Sequence, residues 1–481
     1  MKDPRPSLSE FTPAPGWLPQ WGLQLSERRV LLLTGDFLGS IIALVVSFWL
    51  WTFTADEPFT LEFILSRPPW LFALTLLWVL LSPNFYDLRQ ANSLALTARA
   101  MLVSGLIISG LYVLGYFFSP PGTLPRLVVF YFFGLAFIAK FIWRAAYVFV
   151  FTSRNFRRRV VIVGAGWAGQ TIARLLAEGG TPPYEVVAAI DDDRSKHGQV
   201  LGTTTVVAGS DQLLETVKAA RASEIILAIT GQLSGNLFQA LLDCHENGID
   251  ITRMPTLYEE LTGRVPVQHL GSDWVLSAFV EAVQLSTIER AVRRAVDILG
   301  AWVGLMILLF ILPPIALAVW LEDRGPLMYR QLRVGRGGRE FAVYKFRTMV
   351  VNAEADGRAQ WATPDDPRIT RVGRFLRRTR LDEWPQFWNV LVGDMSLVGP
   401  RPERPEFVTE LEQTIPFYRS RLLVKPGITG WAQVNYRYGA SVEDALIKLQ
   451  YDLYYVKNRS LWLDLLILWR TVAVVLRFAG Q

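Results

Sequence analysis

The sequence predicts four parts in series: a membrane α-helical bundle of four spans, a Rossmann-like α/β domain, a re-entrant membrane helix and an Arg-rich second globular domain. Three observations carry this reading. Long apolar runs fill the first third of the chain. A glycine-spaced turn between a strand and a helix follows them. A further apolar run, interrupted by two adjacent prolines, has arginines on both flanks. The 481 residues leave room for more than one domain, and a 51% hydrophobic composition suits a membrane protein.

The apolar runs of the first part are Val30–Phe53, Pro69–Leu81, Met101–Phe118 and Leu127–Phe151. A spanning helix needs about 20 mostly apolar residues. The first, third and fourth meet that length, and the second reaches it only by borrowing Phe63–Leu65. Arg28 and Arg29 precede the first run, Arg89 and Arg99 separate the second from the third, and Arg154, Arg157, Arg158 and Arg159 follow the fourth. The positive-inside rule places both ends of the bundle in the cytoplasm. Asp36, costly inside a span, is expected to face the bundle interior. The polar, Pro-rich start and long first run predict no cleavable signal peptide.

The second part, 154–280, alternates strands and helices. Val160–Val163 runs into Gly164-Ala-Gly166-Trp-Ala-Gly169, with further strands at Glu185–Ile190, Glu224–Ile229 and Ile249–Arg253. This alternation predicts a parallel, doubly wound sheet. Gly164, Gly166 and Gly169 have dinucleotide-fold spacing, and Asp191 ends the next strand where an acid would meet a ribose hydroxyl. A structural reading stands beside this one: Gly169 allows close helix–strand packing, and Trp167 is bulky for a pyrophosphate turn. No Tyr-x-x-x-Lys pair and no Gly-Lys-[Ser/Thr] loop occurs.

The third part, 281–324, holds the apolar run Ile298–Leu321 with Pro313 and Pro314 inside it. Arg290, Arg293 and Arg294 precede it and Arg324, Arg330 and Arg333 follow, so both flanks belong on the cytoplasmic side. The proline pair is read as a helix break at which the chain turns back. The last part, 325–481, ends in Leu461–Leu476, too short for a comfortable span. With Trp462 and Trp469 it suits a helix lying in the interface.

Composition narrows the chemistry. A net charge of +6 suits an anionic bilayer or phosphorylated substrates and gives no argument for nucleic acid. One cysteine and three histidines exclude a thiolate or imidazole zinc cluster, so a metal would rest on carboxylates, which favours magnesium or manganese.

Three stretches of 325–440 suggest a phosphate site: Tyr344-Lys345-Phe-Arg347-Thr-Met349; arginines at 368, 371, 374 and 377 with Arg378 and Arg380; and Leu381-Asp382-Glu383-Trp-Pro385 leading to Gly399-Pro400-Arg401-Pro402-Glu403. Adjacent helical residues point about 100° apart, so Asp382 and Glu383 take different tasks. A carboxylate meeting a diphosphate feels about 4 kcal/mol of repulsion per contact near 4 Å at an effective dielectric of 20. Several cations or a divalent ion must offset that. Read alone, Asp382 could equally be a helix N-cap and the arginine stripe a headgroup-binding face.

Leu381-Asp382-Glu383-x-Pro385-Gln386-x-x-Asn389-Val390-Leu391, then Gly393-Asp394-Met395-Ser396-Leu397-Val398-Gly399-Pro400-Arg401-Pro402, resembles the bacterial sugar transferase family, the monotopic phosphoglycosyl transferases. Lys345-Phe-Arg347-Thr-Met349 and Lys425–Asn435 match it too, so that the resemblance runs over about 285–478. The spans and the glycine domain resemble its large subtype, the undecaprenyl-phosphate glucose and galactose phosphotransferases.

The resemblance implies an α+β phosphoglycosyl transferase domain on the cytoplasmic face of the bacterial inner membrane. It implies attack by Asp382 on the β-phosphate of a UDP-sugar, glucose or galactose, with release of UMP. Undecaprenyl phosphate then takes the phosphosugar from the aspartate, in the first membrane step of exopolysaccharide or O-antigen synthesis. Glu383, with Asp382, would hold Mg2+. Lys345, Arg347, Arg377, Arg401 and Arg437 fall at positions near phosphate or nucleotide, Asp464 at a family position of structural or functional role, and Pro313-Pro314 at the family's helix break. The sequence is compatible with a homodimer. Two rival classes remain: a nicotinamide-dependent sugar-nucleotide enzyme using the middle domain, and a non-catalytic membrane scaffold.

Overall fold

The computed structural model describes residues 25–56, 58–65, 69–80, 94–118, 126–151, 157–178, 184–269, 286–351, 353, 366–436, 439 and 441–476. The chain divides into two compact units, Met1–Met254 and Pro255–Gln481. That division falls ahead of the expected boundary at 280. Residues 255–269 make their bonds within the second unit: Trp431 donates to the Gly263 carbonyl (2.9 Å) and Lys457 pairs with Glu259 (2.9 Å).

In the first unit the apolar runs become α1 (Leu25–Ala55), α2 (Leu61–Leu65), α3 (Pro69–Leu80), α4 (Leu94–Phe118) and α5 (Arg126–Phe151). By length and composition, three stretches of these helices could cross a membrane: Val30–Ala55, Thr97–Phe118 and Leu127–Val150. Of the expected second span, the described residues show two helices, α2 and α3. α3 has 12 residues, about 18 Å at 1.5 Å per residue, and the upstream residues it would borrow form the separate α2. Asp36 lies in the interior as expected, 2% exposed and ion-paired with Arg144 of α5. A buried pair satisfies charges that hydrocarbon would not.

The α/β part of this unit comprises β1 (Arg158–Val163), α6 (Trp167–Glu178), β2 (Tyr184–Ile190), β3 (Val200–Leu201), β4 (Thr204–Ala208), α7 (Leu213–Ala219), β5 (Glu224–Leu227), α8 (Gly235–Glu246) and β6 (Asp250–Arg253). The sheet order is β3-β4-β2-β1-β5-β6. All pairings are parallel except β3–β4, a short hairpin the sequence reading did not foresee. Val160–Val163 are fully buried, which is why this strand reads as a continuous apolar run.

The second unit opens with α9 (Met254–Thr262), whose first residue ends the first unit, and continues with α10 (Thr287–Asp323). Pro313 and Pro314 lie inside α10, which runs as one helix of 37 residues. The expected break into two helices is therefore replaced by continuity. Packing explains it: Arg293, Asp297, Ala301, Gly304, Leu308, Ile315 and Val319 are buried at intervals of three, four or seven. One stripe thus holds both halves of the helix and offsets the backbone bond each proline removes. A Cβ at Gly304 would lie 2.5 Å from the Phe387 ring, so only glycine permits this approach.

Both ends of α10 are tied to the same unit. Arg293 pairs with Asp464, Arg294 donates to the carbonyls of Val390 (2.8 Å) and Leu391 (2.7 Å), and Asp323 pairs with Arg347. The opposite face of the helix exposes Leu299, Trp302, Val303, Phe310, Leu317 and Leu321.

There follow the antiparallel ribbon β7 (Met328–Val334) and β8 (Glu340–Phe346), α11 (Arg371–Thr379), α12 (Gln386–Val392), β9 (Ser396–Val398), α13 (Pro405–Thr414), β10 (Gly427–Thr429), α14 (Trp431–Asn435), α15 (Val442–Lys457) and α16 (Leu461–Leu476). α16 covers the stretch expected as an interfacial helix, with Leu463 and Ile467 buried and Trp462, Leu465 and Val472 exposed.

Candidate active site

Asp382 and Glu383 sit on a single 3₁₀ turn, Leu381–Glu383, between α11 and α12. Arg380 enters it in the left-handed conformation (φ 58°) and ends α11. Neither carboxylate caps a helix: the turn has no side-chain cap bond, and Pro385 stands at the N-cap of α12. The N-cap reading of Asp382 thus falls away, and its buried carboxyl (9% exposed) has no hydrogen-bond partner among the described residues.

Glu383 is heavily engaged. Lys345 of β8 donates to it at 3.0 Å, Arg401 forks onto both its oxygens, and Arg380 lies 3.9 Å away. Burial alone would raise this carboxyl. Arg401, Lys345 and Arg380 overcome that and hold it well below the usual range. Asp382 moves the other way. Burial, then the adjacent Glu383 charge, push it up to about 6 against the pull of Lys345, Arg377 and Arg401. Burial also lowers the Lys345 ammonium, against the pull of Glu383. The turn thus carries two carboxyls of opposite character, one anchored as an anion and one poised to titrate near neutrality.

Three strands of support hold the cations. Asn389, 1% exposed, donates to the Ala342 carbonyl (2.7 Å) and accepts from the Tyr344 N–H (3.4 Å), pinning β8 beside Lys345. Arg377 donates to the Thr348 hydroxyl at 2.9 Å. Behind Arg401, Arg421 donates to its carbonyl (2.9 Å) and to the Tyr418 hydroxyl (2.7 Å), and pairs with Asp452 (2.7 Å). The Pro400–Pro402 loop is fixed further by the Gly427 N–H, which donates to the Pro400 carbonyl (3.0 Å).

Lys345, Arg377 and Arg401, singled out in the sequence, therefore converge on Asp382 and Glu383. Arg347 does not: it is 8% exposed and pairs with Asp323 at the end of α10. Side chains two positions apart on a strand share a face, but Lys345 and Arg347 straddle the end of β8, where that rule lapses. Arg437 lies outside the described residues. Asp464 proves to be a clamp, paired with Arg293 and accepting from the Tyr455 hydroxyl at 2.9 Å. Arg380 and Asn389 gain site roles that the sequence reading did not give them. A cation at Arg380 was visible in the arginine run, but nothing in the spacing reveals that the Asn389 amide pairs with a strand.

Among the described residues no group of three or more His, Cys, Asp or Glu could hold a metal ion. Magnesium, however, keeps several waters and commonly takes one or two carboxylates together with phosphate oxygens. A magnesium ion here would rest on Asp382 and Glu383, and Glu383 would have to exchange one of its cations for it.

In the first unit, Gly164 takes φ +105° and a Cβ on Gly169 would collide with the Gly164 carbonyl, which bears out the packing role of Gly169. Gly166 has nothing within 4 Å of such a Cβ. Asp191 is not free for a ribose. It accepts from the Ala165 N–H (2.7 Å), the Asp193 N–H (2.9 Å) and Lys196 (3.1 Å). Burial raises it, but these three bonds prevail and lower its pKa.

Known proteins share long stretches of this sequence. The model of the bacterial sugar transferase family matches residues 288–478. The UDP-galactose-lipid carrier transferase of Erwinia amylovora is 32% identical over 345 residues, covering 67% of this chain and 69% of that protein. The chain belongs to the bacterial sugar transferase family. A second member, the UDP-glucose:undecaprenyl-phosphate glucose-1-phosphate transferase of Escherichia coli (strain K12), is 35% identical over 66% of this chain and 67% of its own length. The UDP-N-acetylgalactosamine-undecaprenyl-phosphate N-acetylgalactosaminephosphotransferase of Aeromonas hydrophila is 43% identical over 248 residues, 52% of this chain. The match spans little more than half the length of that relative, 57%. The model of a CoA-binding domain matches residues 83–255.

Proposed function

We propose that this member of the family transfers a hexose-1-phosphate from a UDP-sugar to undecaprenyl phosphate through a phosphosugar bound covalently to Asp382. The observation that carries the reading is the 3₁₀ turn itself: one carboxyl raised by burial and without a hydrogen-bond partner among the described residues, beside an anchored anion, with Lys345, Arg377, Arg380 and Arg401 around them. Ionised Asp382 attacks the β-phosphorus of the UDP-sugar. The bond from that phosphorus to the bridging oxygen breaks, and UMP leaves with the electron pair. An oxygen of the lipid phosphate then attacks the same phosphorus, and the Asp382 carboxylate departs. The surrounding cations neutralise charge on the phosphates in both steps. Magnesium, bound by Asp382 and Glu383 with phosphate oxygens, would supply further neutralisation.

Placement in the membrane follows from α10. It is long and apolar enough to cross, yet a helix with both ends held by one globular unit does not carry one end across a bilayer. Its tethering by Arg293, Arg294 and Asp323 supports an arrangement that keeps both ends of the unbroken helix on one face, with residues near 290 and 330 on the cytoplasmic side of the inner membrane. Cysteine labelling at those two places tests it, and labelling from opposite sides would overturn it. A nucleotide on the middle domain would need Asp191 to release Ala165. Gly166→Asp should then weaken nucleotide binding while leaving Asp382 chemistry intact.

The experiment for the main reading uses UDP-sugar labelled in the β-phosphate, without lipid. Label should be trapped on the parent protein and absent from Asp382→Asn, with UMP release lost as well. An Asp382→Asn protein that turns over normally overturns the mechanism.

A further inference from the structure

The arginines of α11 are more than are needed around Asp382. Arg377 faces that site, but Arg371, Arg374 and Arg378 are exposed, and none has an ion pair or side-chain hydrogen bond among the described residues. At 100° per residue these three fall within an arc of about 60°, spread over about 10 Å of helix, with Arg377 roughly 60° to one side. Like charges at such spacings disfavour a helix by themselves. Among the described residues no acidic side chain pairs with them, so the face is complementary to an anion.

Two further observations say where that anion comes from. Glu322, at the end of α10, accepts the Arg371 N–H (2.6 Å) and the Val372 N–H (3.1 Å). α11 therefore starts where the apolar helix finishes. Beside the arginines, Phe375 is 59% exposed, and the last turns of α10 expose Leu317, Trp320 and Leu321. A cationic row thus begins at an apolar, aromatic surface and runs towards Arg377 and Asp382.

We propose that this row is the entry path of the lipid acceptor: Arg371, Arg374 and Arg378 receive the phosphate monoester of a polyprenyl phosphate at the bilayer surface and pass it to Arg377. The prenyl chain stays against the exposed face of α10. This deepens the function proposed above and rests on it. A phosphate monoester carries more charge than a phosphodiester headgroup and presents more free oxygens to guanidinium forks, so the row selects the acceptor from the surrounding phospholipid.

The test uses the full chain in nanodiscs of phosphatidylcholine containing polyprenyl phosphate. Arg371→Gln/Arg374→Gln/Arg378→Gln should raise the KM for polyprenyl phosphate about tenfold or more relative to that for UDP-sugar. The triple Lys variant, which keeps charge without the planar fork, should lie between. Phosphosugar trapping without lipid reports separately on the Asp382 mechanism: if the parent protein traps none, the mechanism fails and not the path. An unchanged KM for polyprenyl phosphate overturns the path. So does a triple Gln variant that loses only its enrichment of phosphatidylglycerol in mixed discs, because the row is then a phospholipid site.

Discussion

Asp382→Asn separates the chemistry of the turn from its stability, because the two should move in opposite directions. Burial and Glu383 raise the Asp382 carboxyl from 3.8 to about 6. The folded protein therefore holds this proton more tightly than the unfolded chain does. Stability from this group is fully present below pH about 4, falls as the pH rises to about 6, and stays lost above that. At about 1.4 kcal/mol per pKa unit, a buried ionised Asp382 costs the fold about 3 kcal/mol at pH 7.5. Asparagine keeps the shape without the charge and should recover most of that. Thermal unfolding of the full chain in nanodiscs at pH 7.5 should find Asp382→Asn several degrees more stable than the parent. At pH 5 the gap should shrink to about half. A variant that is less stable, or a gap indifferent to pH, would refute the account of Asp382 as a carboxyl strained by its site.

Three further outcomes follow from the same geometry. If ionised Asp382 is the reacting form, kcat/KM should fall about tenfold per unit as the pH drops below about 6, visible in a UMP-release profile. Arg401→Ala removes the fork on Glu383, a charge-assisted interaction of about 1.5–3 kcal/mol, and should lower UMP release by about one to two orders of magnitude, with Arg401→Lys between. Asp36→Asn strips the buried partner from Arg144 and should cost the bundle about 3–5 kcal/mol, read as a lower unfolding temperature, while Asp36→Leu with Arg144→Leu recovers much of it.

The scaffold reading is disfavoured because a turn that isolates one carboxyl among four cations has no use in a passive anchor. The nicotinamide reading fares no better: Asp191 is filled by its own loop, and the middle domain lacks the Tyr-x-x-x-Lys base. Burial of uncompensated or competing charge is usually avoided unless chemistry requires it. Its concentration at residues 380–383 singles out that turn.

What the sequence determined by itself was whatever depends on local composition and period. The apolar runs became helices because hydrophobic length decides them, and Val160–Val163 became a central strand because a sheet covered on both faces needs a continuous apolar run. The Asp382-Glu383 pair and its flanking arginines were legible as a motif. Tertiary structure alone decided the pairings between distant residues. Arg347 turned to Asp323 and Lys345 to Glu383, although both sit in one short run. Asp191 closed on Ala165 rather than standing open. Pro313 and Pro314 stayed within a continuous α10, because a buried stripe far longer than the local proline penalty holds both halves. The two carboxyls of the turn diverged for the same reason: their spacing is fixed by sequence, but the cations that reach Glu383 and leave Asp382 alone arrive from β8 and the Pro400–Pro402 loop, and only folding brings those to one place.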